Sequence, residues 1–125
     1  MNSIDVEGAV RTFMTACGQG EDDGKHIFDL RLKLIEEEHE EFLEALRWGD
    51  PVHIAKEAAD VVYVVVGTLI AMGIPFNEVF AALQVSNMSK VGVDGKVTKR
   101  DDGKILKGVG FVDAESAIKL ILAKR

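Results

Sequence analysis

Apolar positions along this chain recur mostly at helical spacing, and the breaks between periodic stretches fall on glycine, aspartate and proline. Ile4, Val6, Ala9, Val10, Phe13, Met14 and Cys17 trace one face of a first helix, with Gly18 placed as its stop signal. The segment from Gly18 to Lys25 mixes glycines and acids and reads as a loop. Periodicity resumes near His26 through Phe28, Leu30, Leu34, Phe42, Ala45 and Leu46, which predicts a long second helix ending at Gly49-Asp50-Pro51. Asp50 stands where a helix cap belongs and Pro51 in a first turn, so a third helix runs from Val52 to Met72, before Gly73. Its interior is apolar nearly all round, the pattern of a helix packed on several sides.

Pro75 opens a fourth helix from about Phe76 to Lys90. Beyond it the pattern breaks into a glycine-rich segment carrying Lys96, Lys99, Arg100, Lys104 and Lys107, with hairpin signals at Asp94-Gly95 and Asp102-Gly103. Asp113 then caps a last helix from Ala114 to Ala123. The expected fold is all-α: one domain over residues 1–125, with a four-helix core of antiparallel helices and an added C-terminal helix.

Bulk properties narrow the function classes. A chain of 125 residues can bury about two-thirds of the surface its unfolded form exposes, enough for its own core. The net charge of −6 argues against a nucleic-acid polymer as partner, because neutralising a phosphate backbone needs a basic surface. Cys17 is the only cysteine, so neither an intrachain disulfide nor a thiolate metal site is expected. The early acids Asp5 and Glu7 interrupt any signal-like run, and the apolar stretch from Val61 to Ile74 is too short for a bilayer. These features lead to the expectation of a soluble cytoplasmic protein with no membrane partner.

Two acidic clusters change the picture. Glu36-Glu37-Glu38-His39-Glu40-Glu41 lies in the second helix, and Glu57-Ala58-Ala59-Asp60 opens the valine run of the third. Around the second helix, Glu38 falls near the middle of the apolar face, Glu41 within it beside Leu34, and Glu37 at its edge. Glu36, Glu40 and Glu44 fall outside, where a run of glutamates is ordinarily a solvated surface. Glu57 and Asp60, three residues apart, share a face of the third helix. If the two helices form a hairpin, both inward pairs meet in one space. Two unit charges ~4 Å apart repel by roughly 4 kcal/mol at an effective dielectric of ~20. Either several carboxyls are protonated there or a divalent cation is bound. All-oxygen ligands favour Mg²⁺ or Mn²⁺, with Ca²⁺ less suited. A di-iron centre would want two Glu-x-x-His motifs, whereas Glu36 and His39 form a single copy turned away from the core.

The spacing Glu37-Glu38-x-x-Glu41 followed by Glu57-x-x-Asp60 resembles the EExxE…ExxD signature of the all-α nucleoside triphosphate pyrophosphohydrolases, which include MazG-like enzymes and dimeric dUTPases. Gly73-Ile74-Pro75 and Asn87-Met88-Ser89-Lys90 are similar to that superfamily's turn and phosphate-contacting helix end. The resemblance implies that Glu38, Glu41, Glu57 and Asp60 ligate Mg²⁺ and that Glu37 orients or deprotonates the attacking water. It further implies cleavage between the α- and β-phosphates of a nucleoside triphosphate, giving a monophosphate and pyrophosphate. Asn87 and Lys90 are assigned to the triphosphate with Lys104 and Lys107, and Gln19 resembles a position near the base pocket. Asp102-Gly103-Lys104 with Leu106-Lys107 looks like a segment of a MazG-like branch with dUTPase activity.

The resulting expectation is an Mg²⁺-dependent nucleotide pyrophosphohydrolase acting on dUTP or another nucleotide, with Mn²⁺ as a possible substitute. Two alternatives stand beside it: hydrolysis of phosphoribosyl-ATP, against which the long basic segment counts, and a helical binding module without turnover. Apolar residues on several sides of the third helix, and the superfamily's habit, point to a homodimer or homotetramer. His26 and His53 read as surface or capping groups, and Trp48 and Tyr63 as packing residues.

Overall fold

A computed structural model describes residues 3–20 and 26–124. Five helices form: α1 (Val6–Ala16), α2 (His26–Trp48), α3 (Pro51–Ala71), α4 (Phe76–Met88) and α5 (Ala114–Ala123), with no strand among the described residues. The protein is all-α. Residues 21–25 of the expected first loop, and the side chain of His26, lie outside the described residues. The chain divides into two compact units, Met1–Phe76 and Asn77–Arg125.

Local chemistry explains where the helices of the first unit begin and end. Asp5 and Asp50 stand at the N-termini of α1 and α3 and accept hydrogen bonds from the backbone N–H groups of Gly8 (3.1 Å) and Val52 (3.2 Å). Each satisfies a donor that the first helical turn leaves open. Pro51, which has no N–H to lose, occupies the start of α3. Gly49 and Gly73 take positive φ values of 80° and 71° just past α2 and α3, where a side chain would strain the backbone. Glu7 Oε1 accepts the Phe76 N–H at 2.7 Å, so α1 secures the start of α4 through another open donor.

Packing in this unit centres on α3, which contacts both α1 and α2. The α2–α3 connection is so short that the two long helices run antiparallel as a hairpin. Val10 and Met14 of α1, Ile27 of α2, and Val66, Ile70 and Ala71 of α3 form the buried core, with Phe76 packed against it. Fully burying an aliphatic side chain of this size contributes roughly 1.5–3 kcal/mol. Arg31 is also buried, its Nη2 3.9 Å from the Met14 sulfur and its Nη1 lying 3.0 Å from where a Cβ on Gly67 would sit. Glycine at position 67 therefore leaves α3 room for the guanidinium, and burial pushes the Arg31 pKa down.

Of the two aromatic residues expected to pack, Trp48 does not and Tyr63 does. Trp48 ends α2 beyond the packed face and is 79% exposed. Tyr63 is partly exposed and meets the exposed Phe13 edge-on, with ring centroids 5.8 Å apart.

The second unit contains most of α4, the glycine-rich segment and α5. Ser89 Oγ donates to the Ser86 carbonyl and accepts from the Val112 N–H at 2.8 Å, so one hydroxyl pins both ends of the segment. Within it, Gly92 N–H bonds the Lys96 carbonyl around Asp94-Gly95. An isolated antiparallel bridge joins Lys99 to Ile105 around Asp102-Gly103. Asp113 caps α5 by accepting from Glu115 N–H.

Candidate metal centre

The α2–α3 hairpin brings three of the expected acids together. Carboxylate oxygens of Glu38, Glu41 and Glu57 all lie within 4.8 Å of one another, close enough to hold a metal ion. The antiparallel pairing sets Glu38 of α2 against the first half of α3, and the three-residue offset keeps Asp60 on the same face as Glu57. Glu57 is buried, Glu38 half-buried and Glu41 exposed. Burial thus falls across the cluster, with Glu57 its most buried member. Glu41, placed by the helical wheel within the apolar face, is exposed, yet its carboxylate lies with those of the other two.

Electrostatics within this space are unfavourable for anions alone. Glu38 Oε2 and Glu57 Oε2 are buried with no hydrogen-bond partner. Partial burial holds the Glu38 carboxyl above the usual glutamate range, and the charges of Glu41, Asp60 and Glu57 raise it further, while Lys56 opposes them. An orphaned buried carboxylate oxygen is costly, and two of them among converging acids fit a cation that is hard and oxygen-seeking. Glu38, Glu41 and Glu57 could hold such an ion.

Asp60 is turned to a different partner. Its Oδ2 lies 2.6 Å from Lys56 Nζ, which is also 3.6 Å from Glu57 Oε1. The hydrogen bond and charge of Asp60, with the charge of Glu57, hold the exposed Lys56 ammonium above the usual lysine range. His53 Nδ1 stands 3.8 Å from Glu57 Oε1, one turn nearer the start of α3. Neither Lys56 nor the contact of His53 was expected from the acid motif, although the i, i+4 spacings 56–60 and 53–57 could have signalled both.

The remaining expected site residues occupy other positions. Glu37 is exposed on α2 next to Glu38, and Glu36, His39, Glu40 and Glu44 are exposed as well. Gln19 is exposed after α1, its backbone N–H bonded to the Met14 carbonyl at 2.7 Å. In the second unit, Asn87 is exposed and Lys90 half-buried near the end of α4. Lys90 and Lys96 line a cleft of about 710 Å³ between residues 89–98 and 108–110. Lys104 is exposed beside Asp102-Gly103, and Lys107 Nζ sits 4.8 Å from the centre of the Phe111 ring.

No single helix among the described residues is long and apolar enough to cross a membrane. Residues 19–87, more than half of the chain, match the family model described as phosphoribosyl-ATP pyrophosphohydrolase. No curated protein matches the chain. The matched span contains the whole α2–α3 hairpin and ends at Asn87, before the basic segment.

Proposed function

Since the chain belongs to the phosphoribosyl-ATP pyrophosphohydrolase family, a hydrolase family within the MazG-like all-α superfamily, we propose that it is an Mg²⁺-dependent nucleotide pyrophosphohydrolase cleaving the α–β phosphate bond. The observation that carries this reading is the pair of buried, unpartnered oxygens, Glu38 Oε2 and Glu57 Oε2, in a cluster of acids. Glu38, Glu41 and Glu57 would hold the ion, with Asp60 as fourth ligand and Mn²⁺ as a substitute. A bound divalent ion stabilises the charge that develops on the phosphoryl oxygens. Glu37, exposed beside Glu38, orients a water and takes its proton, so that the attacking oxygen forms the new bond to phosphorus as pyrophosphate leaves. Lys90, with Asn87 and Gln19, keeps the substrate-binding role the sequence resemblance implies, and Lys104 and Lys107 keep the triphosphate role suggested by the positive charge of their segment.

The substrate reading divides in two. The basic segment beyond Lys90 favours dUTP or another (deoxy)nucleoside triphosphate, whereas the family match favours phosphoribosyl-ATP. A panel containing dUTP, the other nucleoside triphosphates and phosphoribosyl-ATP, assayed for Mg²⁺-dependent release of pyrophosphate, separates them. One preferred substrate is expected. Absence of release from every member would leave a helical binding module in place of an enzyme.

The exposed apolar residues Phe13, Val62, Tyr63 and Val65 support a homodimer or homotetramer. Light scattering should give a mass of two or four chains, and a monomer at assay concentrations would remove the assembly.

A further inference from the structure

Nothing in the acid motif assigns a role to Lys56, yet it makes a close ion pair with Asp60. One ammonium spans both acids of α3, at 2.6 Å from Asp60 and 3.6 Å from Glu57. It approaches Glu57 at Oε1, while Oε2 of the same carboxylate is buried and unpartnered. The two oxygens of Glu57 therefore face different surroundings: one meets a cation of the chain's own, while the other is buried without a partner in a carboxylate that belongs to the cluster with Glu38 and Glu41.

The Lys56 side chain is 66% exposed. An exposed i, i+4 pair is weak, so its geometry is easily exchanged for another. A divalent ion drawn to Glu38, Glu41 and Glu57 brings twice the charge to carboxylates that Lys56 neutralises only in part. Asp60 cannot give the same oxygen to both cations at full strength. Once displaced, the ammonium remains tethered beside the cluster by its four-carbon stem, with three donors suited to phosphate oxygens.

We propose that Lys56 is an exchangeable counter-ion, neutralising Asp60 and Glu57 until a divalent cation takes those oxygens and then turning to the phosphate of a nucleotide bound at that cation. The inference rests on the metal reading above and adds a competition that reading does not contain.

Its test uses Lys56→Met, which keeps the apolar stem and removes the charge, in the full chain. Mn²⁺ is titrated by calorimetry into protein stripped with a chelator, and a non-hydrolysable α,β-methylene nucleoside triphosphate is then titrated into the Mn²⁺-loaded protein. The expected signature has opposite signs: Mn²⁺ binds roughly two- to fivefold more tightly, the scale of an exposed ion pair. The nucleotide analogue binds about tenfold more weakly, as loss of a charge-assisted hydrogen bond requires. Lys56→Arg, which retains the charge, should keep both affinities near those of the unaltered protein.

Weakening of both by Lys56→Met would mark a merely structural ion pair and overturn the proposal. Weaker nucleotide binding with unchanged Mn²⁺ binding would mark a fixed phosphate ligand and overturn the exchange. No change in either would overturn it too. If the unaltered protein binds no Mn²⁺, the metal reading itself fails, a result distinct from any difference between variants.

Discussion

Glu38→Gln is expected to abolish nucleotide hydrolysis while raising the melting temperature of the protein in chelator. Removing one charged metal ligand should lower kcat by on the order of 10³ or more and weaken Mn²⁺ binding beyond the ~10–100-fold typical of groups that only support a ligand. The gain in stability has a separate cause. Glu38 Oε2 is buried without a partner, and an uncharged amide relieves repulsion from Glu41, Asp60 and Glu57 while offering donors to them.

The pH dependence carries the same sign. Burial first, then those three carboxylates, raise the folded-state pKa of Glu38 above its ordinary 4.5. Above that ordinary value the folded protein therefore holds a proton that the unfolded chain has already released. With more protons bound in the folded state, unfolding free energy falls as pH rises through this window and levels off above the raised value. Glutamine lacks that loss. Melting curves in chelator should favour the variant by a few degrees at neutral pH and converge with those of the unaltered protein near the acid end. A variant no more stable at neutral pH would show that the cluster does not repel, and retained turnover would remove Glu38 from the metal.

Glu37→Gln should act on the chemical step alone. Its neighbour Glu38 faces the cluster, but Glu37 is exposed, so the substitution leaves no buried group behind. A general base contributes typically 10²–10⁴-fold, and kcat is expected to fall by about that factor. Binding of the α,β-methylene analogue should stay within about twofold, since an amide of equal shape keeps the local packing. Single-turnover kinetics beside calorimetry separate the two quantities. Unaltered kcat would end the role of Glu37 with water.

Helix limits were legible because they depend on short-range chemistry. Asp50 and Asp113 cap α3 and α5 at the positions the sequence predicts, and Gly49 and Gly73 follow α2 and α3 with positive φ. Asp5 was less legible. Ile4 belongs to the apolar pattern, yet Asp5 caps α1 and leaves Ile4 exposed outside it. Of the two hairpin signals in the basic segment, Asp102-Gly103 closes a bridged pair and Asp94-Gly95 only a turn.

Angular placement on one helix carried less far. It set Glu38 inward and Glu36, Glu40 and Glu44 outward, in agreement with their burial, but put Glu41 deeper than its exposed position. Leu30 and Leu46, which helped define that apolar face, are about half exposed. A wheel assigns directions about one axis, whereas burial depends on which part of the circumference a neighbour covers.

From the sequence alone came five helices, the caps of α3 and α5 and the acid spacing on α2 and α3, because periodicity and capping act over a few residues. Tertiary structure decided that oxygens of Glu38, Glu41 and Glu57 converge, that Glu57 is the buried member, and that Arg31 lies buried against Gly67. These depend on the rotation and register of helices against one another, which no single helix specifies. Lys56 lies between the two cases: its spacing to Asp60 is local, but its meaning as a competing cation appears only beside carboxylates gathered from two helices.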